Sequence, residues 1–380
     1  MRFFFSSFKN IDWAAFLAAL LLSLFGLVTM NSFSGENALF DRQVIWVSLG
    51  VAVFLLASLV DWRLLRRRGV VVTLYCIGMG LLLLLFAVAE VIQGAQSWFD
   101  LGVFSLQPAD LAKIALIAVL AKYFSRRHVE IAHVRHIIVS GIYAFIPFVL
   151  LALQPDFGSA VIVFLIWFGM VFVSGISRKH LFAVIATGVI AFALLWTFAF
   201  ADYQKQRVLT FLNPLADIHG EGYNAYQSTI AVGSGGLFGK GIGYGTQSKL
   251  RFLPEYETDF IFAAYAEEWG FIGVLLLFGL FGILIARLFR LASRGATNFE
   301  TLFTLGVAMY LTSHFLLHVG INVGLLPVTG TTIPFMSYGG SHIIAEYLAL
   351  GIAVAMGRYA RATRRDALER EFHGGYSRVE

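Results

Sequence analysis

The sequence predicts an all-α polytopic membrane protein, and three observations support this fold class. Hydrophobic residues make up 58% of the 380 positions and charged residues only 13%, whereas a soluble domain carries about 25% charged residues. The apolar residues fall into runs that approach the length of a membrane span, about 20 residues. The basic residues recur at alternate ends of these runs. We therefore expect one membrane domain over residues 1–380.

Ten apolar runs are long enough to be interpreted as transmembrane helices, if tilt and interruptions are allowed. They cover residues 12–32, 43–60, 70–91, 108–124, 137–154, 158–175, 180–200, 260–286, 300–320 and 342–358. The first run lacks a small-residue cleavage site, so we interpret it as an anchor and not as a cleaved signal. Cys76 is the single cysteine, and it is expected to be a buried small hydrophobic residue.

The distribution of basic residues predicts that both termini are cytoplasmic. With the N-terminus inside, the inner segments carry Arg2, Lys9, Arg63, Arg66, Arg67, Arg68, Arg126, Arg127, Arg135, Arg178, Lys179, Arg287, Arg290 and Arg294. The short outer segments carry little beyond Arg42. An excess of Lys and Arg marks cytoplasmic loops, so the net charge of +5 reflects topology and we expect no nucleic-acid partner. The tail, about 359–380, is expected to lie near the anionic inner leaflet.

One outer segment, residues 201–259 between the seventh and eighth spans, is far longer than the others. It is rich in glycine, at positions 220, 222, 233, 235, 236, 239, 241, 243 and 245. Loops of this length are uncommon unless they are functional. Lys240, Lys249 and Arg251 lie in a stretch without acids, and glycine-rich backbone can approach an anion closely. We therefore expect the functional site at the outer surface, where a phosphate-bearing substrate would be lipid-linked.

Polar residues also interrupt the other spans. Asp110 and Lys113 are three positions apart, so they share a helix face. They are either a substrate-facing charge pair or a structural ion pair. Asp156, in "QPDFGS", is either a binding residue or the cap of the sixth span. The segment "LLPVTGTTIPFMSYGGS" (325–341) is either a re-entrant segment that lines a cavity or a rigid turn.

The ninth and tenth spans carry two pairs with i, i+4 spacing, His314 with His318 and His342 with Glu346. If the pairs faced each other, their ligand types would suit a metal ion. Helix pairs of this kind are more often packed and hydrogen-bonded. We therefore assign no metal ligand and leave the role of the four residues open.

Two adjacent glutamates, Glu267 and Glu268, fall inside the eighth predicted span. A carboxylate in hydrocarbon costs at least a few kcal/mol. Neighbouring residues project about 100° apart on a helix. We expect that at most one of the two lines a cavity and that the other bonds to a neighbouring helix.

Several segments together resemble one family, the shape, elongation, division and sporulation (SEDS) polymerases, and within it the RodA type. "GAQSWFDLG…LQPADLAK" is similar to the family block GA-x-R-W…LG…QPSE-x-x-K, and "QPDFGSA" resembles QPD-x-GT. Residues 203–273 follow the largest family signature almost residue for residue, and "GLLPVTG…PFMSYGGS" is similar to the last one. The form GTQS, at 245–248, favours the elongation branch.

The resemblance implies a peptidoglycan glycosyltransferase that polymerises lipid II at the outer face of the bacterial cytoplasmic membrane, for cell elongation and shape. It implies a class B penicillin-binding protein as the transpeptidase partner. Lipid II, the growing glycan strand and other membrane proteins of the elongation complex are the further implied partners. The essential aspartate of the family matches Asp259, and the family's charge pair matches Asp110 and Lys113.

The chain departs from the family pattern at several positions. Ala109 replaces a Ser, Ser97 stands where Arg is frequent, Glu257 replaces a His, His318 replaces an Asn, His342 replaces a Ser, and "TTIP" (331–334) replaces P-L-P. These departures affect how far the substrate details and the partner choice of the family apply to this chain.

The implied reaction joins a sugar hydroxyl to an anomeric carbon as a pyrophosphate leaves. A carboxylate within reach of the hydroxyl can accept its proton, and Asp259 is expected to be this base; the alternative is a cap of the eighth span. Direct displacement inverts the anomeric centre, so one base suffices. The leaving group calls for cations or amide donors, and a divalent cation such as Mg²⁺ or Mn²⁺ is a further candidate. The expected substrate-binding residues are Trp98, Asp110, Lys113, Asp156, Arg207, Lys240, Lys249, Arg251 and Glu255.

Three other functions remain open at this point. The chain could flip lipid-linked precursors, polymerise or ligate another glycan, or act as a non-catalytic membrane scaffold for a crosslinking enzyme. A transporter should show internal repeats or helices broken near the midplane. The sequence has no convincing repeat, and its densest polar chemistry falls in the outer loop, which favours the polymerase.

Overall fold

The structure, a computed structural model, describes residues 11–32, 38–88, 97–100, 102, 105–125, 134–198, 202–213, 221–250 and 252–374. The α-helices of this part are α1 (Trp13–Asn31), α2 (Ala38–Leu59), α3 (Arg68–Val88), α4 (Pro108–Ser125), α5 (Val134–Leu153), α6 (Phe157–Val173), α7 (Arg178–Phe198), α8 (Asp202–Leu212), α9 (Glu221–Ser234), α10 (Thr246–Lys249), α11 (Ile261–Ala292), α12 (Asn298–Asn322) and α13 (Gly340–Gly374). A 3₁₀-helix covers Trp62–Arg66, and β1 (Phe99–Asp100) pairs antiparallel with β2 (Ser105–Leu106).

The predicted fold class is confirmed, since each of the ten predicted spans coincides with a helix. Seven helices, α1, α2, α3, α5, α11, α12 and the first part of α13, are long and apolar enough to cross a membrane, and α6 is apolar but shorter. Helix α4 is less apolar because it carries Asp110, Lys113 and Lys122. It can carry them because it lies in the interior of the bundle, where protein and not lipid surrounds it. The orientation of the termini stays a prediction from the charge distribution.

Close helix contacts in the bundle depend on small residues. Helix α13 packs along α2, where a Cβ on Gly50 would lie 2.5 Å from the ring of Tyr347, and a Cβ on Gly351 would lie 2.8 Å from Ala57. Small residues let helix backbones approach in membranes, where dispersion and hydrogen bonds replace the hydrophobic effect between helices. Helices α4 and α12 pack together in the same way at the centre.

Ion pairs that use arginine mark one end of the bundle, which we call the basic end. Arg287 of α11 pairs with Asp12, the N-cap of α1, at 2.7 Å. Arg66 pairs with Glu300 at 2.5 Å. The basic end is the end that the charge distribution predicts to be cytoplasmic. Asp259, Asp110 and Lys113 lie away from this end, so the two ends differ in chemistry.

Helix α11 is broken at Gly270, which has φ +66° and ψ −168°. The glycine-rich segment of the long loop packs its backbone against this break. A Cβ on Gly235 would lie 2.1 Å from the carbonyl oxygen of Ala266, and one on Gly239 would lie 2.0 Å from that of Glu268. The glycines at these two positions therefore serve backbone-to-backbone packing, whereas the sequence suggested an approach to an anion.

Both glutamates of α11 are held by hydrogen bonds at this break. Glu267 accepts from the Lys240 ammonium at 2.6 Å and from the Thr246 amide at 2.9 Å. Glu268 accepts from the hydroxyl of Ser32, directly after α1, at 2.5 Å. Glu268 thus bonds at the end of a neighbouring helix, as expected of one of the pair, but it also accepts from the Gly243 amide of the long loop at 3.0 Å.

Candidate active site

Asp259 lies in a turn at the end of the long loop, directly before α11. The turn begins at Glu255, a non-glycine residue with φ +47°. The Glu255 carbonyl accepts from the amides of Thr258, Asp259 and Phe260, at 3.2, 3.0 and 3.1 Å. Backbone in this region costs about 1–3 kcal/mol and clusters at functional sites. The N-cap of α11 is Phe260, so Asp259 lies one position before the cap.

Three successive carbonyls around Asp259 are fixed by residues of the α12–α13 region. Glu257 accepts from the Tyr338 amide at 2.8 Å, Thr258 from the Ser337 hydroxyl at 2.8 Å, and Asp259 from the Asn322 side chain at 2.9 Å. Asn322 is fully buried and also accepts from the Ala263 amide at 3.0 Å. Tertiary hydrogen bonds to the carbonyls of Glu257, Thr258 and Asp259 therefore fix the backbone at Asp259.

The chain between α12 and α13 enters the bundle, and we call residues 325–339 the re-entrant segment. Ile333, Phe335, Met336 and Ser337 are at most 2% exposed. A Cβ on Gly26, within α1, would lie 2.3 Å from the carbonyl oxygen of Met336. Irregular backbone is tolerated at this depth when protein surrounds it, so the structure favours the re-entrant interpretation over a surface turn.

The re-entrant segment also reaches the Asp259 side chain. A Cβ on Gly330 would lie 3.4 Å from Oδ2 of Asp259, so the carboxylate lies against the segment at this glycine. Gly330 has φ +65°, a conformation that glycine adopts without a steric penalty.

A buried polar cluster lies on the other side of this segment. Asp110 and Lys113 are each 1% exposed and pair at 3.1 Å. The Lys113 ammonium also lies 3.3 Å from Nε2 of His314. His342 places Nδ1 3.2 Å from Asp110 and Nε2 2.8 Å from Glu346. The two predicted pairs of α12 and α13 therefore face each other, and they are joined by the charge pair of α4.

Three residues of the cluster, Asp110, His314 and His342, offer possible metal-ligand atoms within 4.8 Å of one another. Their types suit a divalent transition metal. However, the Lys113 ammonium lies 3.1 Å and 3.3 Å from two of these atoms. A resident cation would face this like charge at close range, so the trio does not fit a metal while Lys113 occupies this place.

A short stretch of the re-entrant segment links Asp259 to the buried cluster. A Cβ on Gly330 would lie 3.4 Å from the Asp259 carboxylate, and Thr332, two residues later, bonds to His342 at 2.7 Å. Two residues of chain span at most about 7 Å. Asp110 and Lys113 precede Asp259 by 149 and 146 positions in the sequence, and this stretch connects them to it in the structure.

Asp156 lies beside the start of α4, and Trp98 lies beside strand β1. Asp156 caps α6 through the Ser159 amide at 3.0 Å and accepts from the Gln107 side chain at 3.2 Å. Gln107 precedes α4, so Asp156 links the start of α6 to the start of α4. Trp98 is half-buried beside strand β1.

The other predicted cations lie in different surroundings. Lys240 is paired with Glu267, whereas Lys249 is exposed, donates to the Gly243 carbonyl at 3.2 Å and lies 5.9 Å from the ring centroid of Tyr244. Arg207 lines a cavity of about 150 Å³ between α8, α9 and residues 323–328. Arg251 lies outside the described residues. The carboxylate of Glu255 accepts from the Thr258 hydroxyl at 3.0 Å, within the turn itself.

Sequence reasoning missed the residues that hold the turn. Asn322, Ser337 and Tyr338 act through backbone groups of a segment more than 60 positions away. Asn322 had one usable signal, a polar side chain at the end of an apolar span. Ser337 and Tyr338 had none beyond their place in a family motif.

Comparisons with known proteins agree with the motifs. The family model described as FTSW_RODA_SPOVE, cell cycle protein, matches residues 11–362. Peptidoglycan glycosyltransferase MrdB of Escherichia coli (strain K12) is 36% identical over 348 residues, covering 91% of this chain and 93% of the relative. Stage V sporulation protein E of Bacillus subtilis (strain 168) is 33% identical over 360 residues, covering 92% and 98%.

Solved structures agree as well. Rod shape determining protein RodA of Thermus thermophilus aligns with a TM-score of 0.69 and 32% identity, covering 92% of this chain and 97% of that one. A chain from a structure on coordination of polymerization and crosslinking by a peptidoglycan synthase complex aligns with a TM-score of 0.79 and 32% identity, covering 92% and 98%. With the family model spanning nearly the whole bundle and the motif residues gathered at one end of it, the chain belongs to the FtsW/RodA/SpoVE family, the SEDS family that its motifs resemble.

Proposed function

We propose that the protein is a peptidoglycan glycosyltransferase that joins lipid II into glycan strands at the outer face of the bacterial cytoplasmic membrane. One relative, MrdB of Escherichia coli, is named a peptidoglycan glycosyltransferase, and a similar solved structure is named RodA. The observation that supports the proposal most is the fixed turn at Asp259. Its carboxylate lies against a re-entrant segment whose other side contacts the Asp110–Lys113 pair.

Asp259 is proposed as the general base. The acceptor hydroxyl oxygen forms a bond to the anomeric carbon of the donor, the bond from that carbon to the lipid diphosphate breaks, and the hydroxyl proton passes to Asp259. A positioned carboxylate contributes roughly 10²–10⁴-fold to such a step. The α-linked donor becomes a β-linked product, so a single displacement without a covalent enzyme intermediate accounts for the stereochemistry.

Lys249 is the proposed partner for the departing diphosphate among the described residues of the long loop. It is exposed and contacts the Gly243 carbonyl and the Tyr244 ring, whereas Lys240 is neutralised by Glu267. Charge placed where negative charge develops is often the largest contribution to a rate. A divalent cation such as Mg²⁺ or Mn²⁺, arriving with the substrate diphosphate, is the further candidate; the Asp110–His314–His342 trio is not proposed to hold it.

Asp110 and Lys113 are proposed to shape the substrate site without leaving their pairing. Both side chains are 1% exposed, and separating a buried pair leaves an uncompensated charge. Trp98 and Asp156, at the edge of the same region, are proposed as further substrate contacts. Arg207 and Glu255 remain candidates, and Arg251, which lies outside the described residues, is kept as a candidate from the sequence.

A class B penicillin-binding protein is the proposed partner, with other membrane proteins of the elongation complex. The similarity to a chain from a peptidoglycan synthase complex that coordinates polymerization and crosslinking supports a crosslinking partner. A role in elongation and cell shape is supported by the likeness to MrdB and to RodA.

The competing functions are separated by one experiment. The purified protein and its cognate penicillin-binding protein are reconstituted in vesicles that carry fluorescent lipid II in both leaflets. The expected result is glycan polymer in the products, with one lipid diphosphate released for each glycosidic bond formed. Translocation of lipid II without polymer would replace the proposal with a flippase, and polymer formed only by the partner would leave this chain as a scaffold.

A further inference from the structure

Three buried histidines contact the same short stretch of the re-entrant segment. His314 places Nδ1 3.2 Å from the Thr332 carbonyl, and His318 places Nδ1 2.6 Å from the Thr331 carbonyl. His342 places Nε2 2.7 Å from the Thr332 hydroxyl. All three side chains are at most 3% exposed, so these contacts replace bonds to water and are not incidental.

The partners of the Nδ1 atoms fix the proton positions of two of these histidines. A carbonyl only accepts, so His314 and His318 must carry their proton on Nδ1. Nε2 of His314 is then an acceptor, and it lies 3.3 Å from the Lys113 ammonium, which only donates. Each ring nitrogen of His342 faces a carboxylate, that of Asp110 or that of Glu346.

Glu346 bonds to the re-entrant segment at a second position, Phe335. Its Oε2 accepts from the Phe335 amide at 2.8 Å. Phe335 is fully buried and has φ +63°. A bulky residue stays in this conformation only when its surroundings determine it strongly. The Glu346 carboxylate, itself fixed by His342, is one such constraint.

The far side of the segment holds the catalytic turn. Ser337 accepts from the Ile333 amide at 2.9 Å and donates to the Thr258 carbonyl at 2.8 Å. Gly330 lies against the Asp259 carboxylate. The segment is therefore fixed between the histidines on one side and the Asp259 turn on the other.

We propose that His314, His318, His342 and Glu346 form a histidine clamp that positions Asp259 through the re-entrant segment. None of the four is proposed to touch substrate. The clamp rests on the proposed function, since it sets the distance from the Asp259 carboxylate to the acceptor hydroxyl. A displacement of about 1 Å can lower a rate about 10²-fold without weakening binding.

The clamp also gives a physical meaning to the departures from the family pattern. His318 and His342 replace smaller polar residues, and Thr331 and Thr332 stand in the stretch where a P-L-P sequence is common. In the structure these departures contact each other, His318 with Thr331 and His342 with Thr332. Proline restricts the backbone by itself, so the hydrogen bonds of the histidines supply a restraint that the threonines lack.

The test compares two substitutions of His318 in the full-length protein with its partner. Asparagine can place its Nδ2 donor where His318 has Nδ1, whereas leucine fills the space without a donor. We expect His318→Leu to lower kcat at least about 10-fold with KM for lipid II changed less than about 2-fold, and His318→Asn to recover most of the loss. A change confined to KM, or an asparagine variant no better than leucine, would overturn the clamp.

A second measurement does not depend on activity. Hydrogen exchange of the amides at 257–260 should speed up in His318→Leu, and in Thr332→Val, which removes the hydroxyl partner of His342 and serves if His318→Leu does not fold. The matched control is His136→Leu on α5, a buried histidine that bonds to Tyr123 at 2.8 Å; exchange at 257–260 should not change there. Unchanged exchange in both clamp variants refutes the clamp, whereas a parent protein that makes no polymer refutes the proposed function alone.

Discussion

At the scale of single residues, the Asp110–Lys113 pair shows how burial decides the effect of a substitution. Both charges are almost completely removed from solvent, and their partners are the two histidines that face them. An ion pair in such a place contributes little net stability over apolar residues, but removal of one partner leaves a buried charge.

Lys113→Met is therefore expected to be more destabilising than the double variant Asp110→Asn/Lys113→Met. The single change should cost about 3 kcal/mol or more because Asp110 loses its cation, and the double change should recover part of that. Thermal unfolding in detergent measures both, with Lys249→Met, at an exposed lysine, as the control that should shift little. A double variant as unstable as the single one would contradict the pairing.

The residues of the site differ in how far the sequence could reveal them. Asp259, Asp110 and Lys113 lie in motifs with a local pattern, and the two charges of α4 share a helix face at i, i+3. Asn322 and Ser337 could not be assigned from the sequence because their hydrogen bonds join segments 63 and 79 positions apart. Such contacts depend on the tertiary fold and leave no periodic signal.

At the scale of elements, the break in α11 determines how the long loop is attached. The glycine-rich segment lies so close to α11 that its backbone amides bond to helix carbonyls, Lys240 to Glu267 at 2.9 Å and Gly241 to Glu268 at 3.0 Å. The sequence predicted a span over 260–286 but not the place of a break, because Gly270 in an apolar run gives no sign of one. It also predicted a polar loop where the structure has α8, α9 and α10.

Gly239→Ala is expected to destabilise this attachment. Gly239 has φ +78°, and an added Cβ would lie 2.0 Å from the Glu268 carbonyl oxygen, so both backbone strain and a clash oppose the change. The matched control is Gly80→Ala in α3, where nothing lies within 4 Å of the added Cβ. Unfolding temperature and yield should fall for Gly239→Ala alone, and equal behaviour of the two variants would contradict the packing.

At the scale of the whole molecule, the places of the long apolar helices followed from the sequence because apolar length is a local property. The sequence alone did not predict that the re-entrant segment enters the bundle. Its residues 325–341 were compatible with a turn as well as with an entry into the bundle, and only the contact with Gly26 and the burial of Phe335 distinguish the two.

The two ends of the bundle predict a definite sidedness. Cys76 is exposed on α3, whereas the sequence predicted a buried residue, so the test uses a Cys76→Ser background. In that background, a cysteine in place of Lys249 should react with a membrane-impermeant maleimide on intact cells or spheroplasts. A cysteine in place of Arg294, at the basic end, should react only after permeabilisation, because basic loops stay in the cytoplasm. The reverse pattern would invert the topology and move Asp259 to the wrong side for lipid-linked substrate.

The most direct test of the central claim is the rate of lipid II polymerisation by Asp259→Asn in complex with the penicillin-binding protein. The amide keeps the size of the side chain but is a far weaker base, so the rate should fall about 100-fold or more. Asp61→Asn, at an exposed pair with Arg63 at the basic end, should polymerise at the parent rate. An Asp259→Asn variant that builds glycan as fast as the parent protein would contradict the role of this carboxylate.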